Sequence, residues 1–271
     1  MNLDNFQDII YEKEENGICT LTLNKPERKN SLTPLTFYEI ERVLDDMEQD
    51  RNSKLLIITG NKEAKAFSSG GSFVSFASIP PEIREQIDPS DTAQKKLALR
   101  FWDFPKPVIT AINGLAVGAG ITMPLIASDL IFISADAWIG FYFVKRSIVP
   151  EFGSTFILPF YIGFQKAKEI MYFGDKITAY EAEKLGLVNK VLAPENLIPY
   201  TREQALKLIP PQGPSLSIKL MKKTMHSYFK EILANTLTLE NKGIGEAAKT
   251  HDFRESAMAL KAKREPKFKG K

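Results

Sequence analysis

A chain of 271 residues, 44% of them hydrophobic, is long enough to bury a large core as one domain or two smaller ones. Its 36 basic and 33 acidic residues leave a net charge of +3, too balanced for a general nucleic-acid-binding surface, so any basic patch must be local. The single cysteine, Cys19, excludes an internal disulfide and thiolate-built metal sites, and suits a reducing compartment.

The first 17 residues, MNLDNFQDIIYEKEENG, have neither the basic start and apolar stretch of a secretory signal nor the arginines of a transit peptide, so a cytoplasmic location is expected. Strands are predicted at 18–24, where apolar and polar residues alternate, and at 54–60, a short apolar run ending in glycine. Between them, Phe37, Ile40, Leu44 and Met47 recur at three- and four-residue intervals, the mark of an amphipathic helix over 31–47. A glycine loop at 68–72 and a polar, proline-containing loop at 78–94 follow, then a helix, then strands at 107–114 and 130–136. Residues 108–128 carry no charge and are long enough to span a membrane, but Asn113, Gly114, Gly118, Gly120 and Pro124 break the run into a strand, a turn and a buried helix.

Strands separated by helices imply crossover connections and a largely parallel sheet. Beyond residue 150 the strand pattern fades, and helices are predicted at 164–173, 178–185, 195–208, 214–232 and 234–263. The expected organisation is an α/β core over 1–200 and a helical region over 201–271, ending in the basic tail KAKREPKFKGK.

Neither histidine, His226 nor His251, has partners at a metal-motif spacing, and both are expected on the surface. There is no nucleophile elbow and no phosphate loop of the Walker type. Two glycine clusters are more informative: FSSGGSF (67–73) and NGLAVGAGI (113–121) each follow a strand and precede small residues. Such turns expose backbone N–H groups and let a ligand oxygen approach them, although close strand–helix packing also calls for glycine.

Five segments, NKPERKNSL (24–32), FSSGGSF, AINGLAVGAGITM (111–123), SIVPEFGSTFILP (147–159) and DKITAYEAEKLGLVNKVL (175–192), occur in the order and spacing seen in the crotonase, or enoyl-CoA hydratase/isomerase, superfamily. The resemblance covers nearly the whole chain. It implies an α/β, crotonase-like spiral of ββα units with a helical C-terminal region that serves trimerisation, a homotrimer or a hexamer built as a dimer of trimers, and an acyl-CoA substrate. By motif position, the N–H groups of Gly71 and Ala119 hold the thioester oxygen as an oxyanion. No metal or redox cofactor is implied, coenzyme A being part of the substrate. No membrane partner is expected.

Hydratases of this superfamily use two glutamates, and the matching positions here are Thr122 and Phe143. Water addition needs one group to activate water and one to supply a proton, so the loss of both argues against a hydratase. Glu151 falls where the Δ3,Δ2-enoyl-CoA isomerases carry their single catalytic glutamate. The same residue also suits a helix start, after Pro150, where a carboxylate complements the helix dipole. For the coenzyme A end, Lys25 and Arg28 are candidates for phosphate or ribose, and Phe67, Ser69 and Gly70 for adenine and pantetheine. Phe141 and Phe143 are candidates for the acyl pocket, and Lys267 and Phe268 for a CoA on a neighbouring subunit. Trp102 and Trp138 are expected in the core or at a subunit contact.

Ser72 replaces an aspartate common in relatives. Pro124 and an apparent extra residue between Gly120 and Asp129 point to a reshaped acyl pocket. The reading is therefore a double-bond isomerase. Its alternatives are a hydratase, hydrolase or dehalogenase type of reaction on an acyl-CoA, and a non-catalytic scaffold binding RNA or a protein through the tail. Phe268 is the tail's lone aromatic, which makes a nucleic-acid platform poor.

Overall fold

The structure, a computed structural model, describes residues 6–72 and 79–271. Phe73 and Ser78, which bound two of the sequence motifs above, and the first five residues lie outside that range. In chain order the strands are β1 (Ile9–Lys13), β2 (Ile18–Leu23), β3 (Leu55–Gly60), β4 (Ala66–Ser68), β5 (Val108–Ile112), β6 (Leu115–Val117), β7 (Leu130–Ser134), β8 (Trp138–Gly140), β9 (Lys176–Thr178) and β10 (Lys190–Leu192). The first helices are α1 (Pro34–Gln49), α2 (Pro81–Arg84), α3 (Lys95–Asp103), α4 (Ala119–Ala127), α5 (Ser154–Ile162) and α6 (Phe164–Phe173). They are followed by α7 (Ala179–Lys184), α8 (Pro194–Leu208), α9 (Ser215–Ser227), α10 (Lys230–Ala247) and α11 (His251–Lys261).

A six-stranded sheet has the order β1-β2-β3-β5-β7-β10, parallel except for the β1–β2 hairpin. A four-stranded sheet has the order β4-β6-β8-β9, with β9 antiparallel to β8. The pairs β3/β4, β5/β6 and β7/β8 each place their first strand in the large sheet and their second in the small one before helices follow. This repeat is the expected spiral of ββα units.

Every residue of β3 is buried because the large sheet is covered on both faces. Leu56 and Ile58 join the main core with Phe37, Ile40, Leu44 and Met47 of α1, while Leu55 and Ile57 face a second cluster with Leu197 and Ala205 of α8. The period of two along the strand sends alternate side chains to the two layers. α1 starts at a capping box in which Thr33 and Thr36 bond each other's backbone N–H, worth about 1 kcal/mol. Asp8, 5% exposed, accepts from both threonine hydroxyls at 2.6 Å and so ties β1 to that helix start.

The predicted strands at 18–24, 54–60, 107–114 and 130–136 are present as β2, β3, β5 and β7. Five of the unforeseen strands, β4, β6, β8, β9 and β10, have three residues each, too few to show an alternation. The helix predicted at 214–232 stops at Ser227, and that at 234–263 divides into α10 and α11, where Thr250 accepts the Phe253 N–H as an N-cap. His226 is no free surface residue: its ring stacks on Trp102 at 4.1 Å and its Nδ1 lies 2.8 Å from the Trp102 carbonyl. Among the described residues no helix is long and apolar enough to cross a membrane.

Candidate active site

β4 pairs in parallel with β6, so both strands end at the same edge of the small sheet and the glycine clusters that follow them emerge side by side. In the first turn Gly70 is left-handed, φ +91°, and a Cβ there would stand 2.4 Å from the Val117 carbonyl oxygen. Only glycine fits both constraints. Leu32 N–H donates to the Gly70 carbonyl at 2.9 Å and Ser72 N–H to the Leu32 carbonyl at 2.8 Å, forming a parallel bridge between Leu32 and Gly71. That pattern uses the groups flanking Gly71 and turns its own N–H to the opposite side. Gly71 is exposed, a Cβ there would meet nothing within 4 Å, and no partner for its N–H is found among the described residues.

The second turn is the N-terminus of α4. Gly118 caps it at φ +55°, donating its N–H to the Gly140 carbonyl and accepting from Ile121 and Thr122 N–H. Ala119 and Gly120, in the first helical turn, have no carbonyl one turn back within the helix to receive their N–H groups. A Cβ on Gly120 would lie 2.6 Å from the Ser68 carbonyl oxygen, so glycine lets the helix start press on the end of β4. The Cβ position of Gly70 lies 3.5 Å from the Ala119 nitrogen. The two turns are thus in contact.

Thr122 is fully buried, its hydroxyl 3.3 Å from the Gly118 carbonyl, and Phe143 is 6% exposed with its ring tip 3.9 Å from the Cβ position of Gly118. Both groups are uncharged, and both stand beside the second turn. Ile148 N–H donates to the Phe143 carbonyl at 3.2 Å, which carries the chain from this wall toward Glu151.

Glu151 does not start a helix: α5 begins three residues later, at Ser154, after two left-handed residues, Phe152 (φ 56°) and Gly153 (φ 67°). Phe152 is fully buried and packs on Phe37 with ring centroids 5.6 Å apart, while its N–H donates to the Ala93 carbonyl at 3.1 Å. A bulky side chain in this conformation is costly and marks a turn held by its surroundings. Glu151 keeps part of its surface open, but the protein around its carboxyl withholds solvation and pushes its pKa up to about 8, with the negative charge of Glu240 adding to the effect.

Glu240, on α10, is the group the sequence reading missed. It is 2% exposed and accepts the N–H of Gly153 at 2.7 Å, the N–H of Thr155 at 3.0 Å and the Thr155 hydroxyl at 2.6 Å. The helix-start role considered for Glu151 therefore belongs to Glu240. A readable signal existed: Leu233, Leu237 and Ile244 form the buried stripe of α10, and Glu240 sits within it at helical spacing.

The coenzyme A candidates fare unevenly. Lys25 is not free as expected: its Nζ pairs with buried Asp8 at 3.2 Å. Arg28 remains half exposed beside Glu27, and Ser69 is tied back through its hydroxyl to the Arg28 carbonyl at 3.2 Å. Phe67 and Phe141 have no exposed surface, so neither ring is open to a ligand, because both complete the main core. The tail folds against its own helix α11: Arg264 pairs with Glu255, and the N–H groups of Lys267, Lys269 and Gly270 bond to Glu255 or Asp252. Phe268 stays exposed at 45%. Among the described residues no group of His, Cys, Asp and Glu is arranged to hold a metal ion.

A family model described as enoyl-CoA hydratase/isomerase matches residues 13–271. The 1,2-epoxyphenylacetyl-CoA isomerase of Escherichia coli strain K12 is 30% identical over 97% of this chain and 99% of its own. The crotonyl-CoA hydratase of Syntrophomonas wolfei is 31% identical over 97% of this chain and 98% of its own. Among solved structures, an enoyl-CoA hydratase/isomerase from Pseudoalteromonas atlantica T6c superposes with a TM-score of 0.84 at 25% identity, covering 97% of this chain and all of that one.

Proposed function

The chain belongs to the enoyl-CoA hydratase/isomerase family, and from that premise we propose that it is an acyl-CoA double-bond isomerase acting on 3-enoyl thioesters, with Glu151 as the proton shuttle. The observation that carries the reading is a single carboxylate, Glu151, desolvated and part-open, with uncharged Thr122 and Phe143 at the other two places where the chemistry could have been run.

In the proposed reaction the Glu151 carboxylate removes a proton from C2. The electron pair moves onto the thioester oxygen, conjugated through C3 and C4, and the N–H groups of Gly71 and Ala119 receive the developing negative charge. Preorganised donors of this kind are worth about 3–4 kcal/mol each. Glu151, now protonated, returns the proton at C4, which leaves the double bond between C2 and C3. Bonds broken and formed balance within the substrate, with no water consumed and no change of oxidation state. The reaction as proposed therefore calls on no metal or redox cofactor.

A raised pKa favours this chemistry, because a stronger base lowers the cost of taking a carbon-bound proton. Incubation with short, medium and long 3-enoyl-CoAs tests the reading. The expected product has the mass of the substrate and the ultraviolet absorbance of a conjugated enoyl thioester. A mass gain of one water from a 2-enoyl-CoA, with no isomerisation of any 3-enoyl-CoA, would overturn it in favour of a hydratase.

A further inference from the structure

Two neighbouring residues of α10 grip the turn that presents Glu151 from both sides. Glu240 holds Gly153 and Thr155 as described, and Asn241 accepts the Ala93 N–H at 2.6 Å and the Thr92 hydroxyl at 3.1 Å while donating to Asp91 at 3.2 Å. Ala93 in turn takes the N–H of Phe152, the residue after Glu151. The packing is equally close: a Cβ on Gly153 would stand 2.3 Å from Leu233 Cδ1, and a Cβ on Gly243 would stand 3.0 Å from Val149 Cγ2. The left-handed pair Phe152 and Gly153 is thus fixed by a helix nearly ninety residues away.

The N–H groups of Gly153 and Thr155 can only donate to Glu240 and so favour its ionised carboxylate, while the Thr155 hydroxyl can donate to the carboxylate or accept from the acid. Burial works against that charge and pushes the pKa of Glu240 up, and the three hydrogen bonds pull it back. Other charged groups stand on the surrounding elements: Asp91 and Lys95 at the start of α3, Lys145 and Arg146 in the turn after β8, and the Lys242–Glu246 pair on α10. Glu240 is the one whose charge acts on the Glu151 carboxyl.

We propose that Glu240 is a positioning residue for Glu151: it fixes the turn that presents the base and keeps a second, hydrogen-bonded negative charge behind it. The proposal rests on the reading of Glu151 as the base. The C-terminal helical region thereby takes part in the chemistry of its own subunit, in addition to any role in assembly.

The test combines a titration that needs no substrate with turnover. In protein labelled at the glutamate side-chain carboxyl carbon, the Glu151 resonance is assigned by its loss in Glu151→Gln and titrated by NMR in wild type, Glu240→Gln and Glu240→Asp. The expected result is a midpoint about one pH unit lower in Glu240→Gln, as removal of a neighbouring like charge demands, and a midpoint near wild type in Glu240→Asp, which keeps the charge. The turnover of Glu240→Gln on 3-enoyl-CoA should fall through kcat with KM little changed.

An unshifted midpoint in Glu240→Gln, with Glu151→Gln inactive, overturns the positioning role and leaves the base assignment standing. Full activity in Glu151→Gln overturns both. Should Glu240→Gln fail to fold, Thr155→Val removes one donor alone and is expected to lower kcat about threefold, the scale of one hydrogen bond. An unchanged kcat in that variant overturns the proposal.

Discussion

The Cβ position of Gly70 stands 3.5 Å from the backbone nitrogen of Ala119, so two turns separated by nearly fifty residues of sequence meet where each presents an N–H group without a backbone partner among the described residues. Gly70 and Gly71 are neighbours with opposite tolerances. Gly70→Ala would force a side chain into the Val117 carbonyl at a left-handed φ, whereas a Cβ on Gly71 enters open space. Gly70→Ala is expected to cost about 2 kcal/mol or more in denaturant unfolding, the range for strain at a special backbone position. Gly71→Ala should unfold at the wild-type midpoint and show its effect in turnover alone.

Glu151→Gln keeps size and burial but cannot take a proton. Its kcat on 3-enoyl-CoA is expected to fall by about 10²–10⁴, the contribution of a positioned general base. Circular dichroism and melting temperature should stay at or above wild type, which separates lost chemistry from lost folding.

The pH dependence follows from the raised pKa of Glu151. The base is the deprotonated form, so kcat/KM should rise with pH and level off above about 8. Stability moves the other way. A carboxyl whose pKa is higher folded than unfolded stabilises fully below the ordinary value of about 4.3 and loses that contribution as pH rises through the folded value. Glu39, pushed by burial to about 7, adds a slope of the same sign. Comparison of Glu151→Gln with wild type isolates the Glu151 part: the variant should gain stability relative to wild type between pH 5 and pH 9, read by thermal melts, and an equal pH slope in both would refute the assignment.

Thr33→Ala removes the α1 cap and one of the two hydroxyls that satisfy Asp8. A loss of about 1–2 kcal/mol in unfolding free energy is expected. Thr33→Ser, which keeps the acceptor, should recover most of it.

The basic tail is held by Glu255 and Asp252. The Arg264 guanidinium and the Lys267 N–H hold Glu255 down to about 2, so its contacts persist until the pH falls toward that value. Glu255→Gln should free the tail at neutral pH and speed tryptic cleavage after Arg264 and Lys267. Equal cleavage rates in variant and wild type would show that the docking seen here does not protect the tail.

The strands at 18–24, 54–60 and 130–136 and the helix at 31–47 were legible because each has enough residues to display a period. Three-residue strands such as β4 and β8 were not, since their existence depends on the neighbour that supplies the hydrogen bonds. Gly71, Ala119 and Glu151 were singled out by motif order. The pairing of Lys25 was not legible, because a lysine in a loop looks free until the buried carboxylate of Asp8 is seen beside it. The full burial of Phe67 and Phe141 was not legible either, because an aromatic ring reads the same in a pocket wall and in a core.

The sequence by itself determined the alternation of strands and helices and the two glycine turns, carried by local spacing and residue chemistry, while its resemblance to the family singled out one carboxylate among three candidate positions. Only the tertiary structure decided that the two turns touch, that Glu151 lies ahead of its helix rather than within it, and that Glu240 supplies the cap. Those are contacts between residues tens of positions apart. They arise because the parallel pairing of β4 and β6 and the packing of α10 on the 149–155 turn bring distant segments to one place, and no local pattern encodes where a buried charge finds its partners.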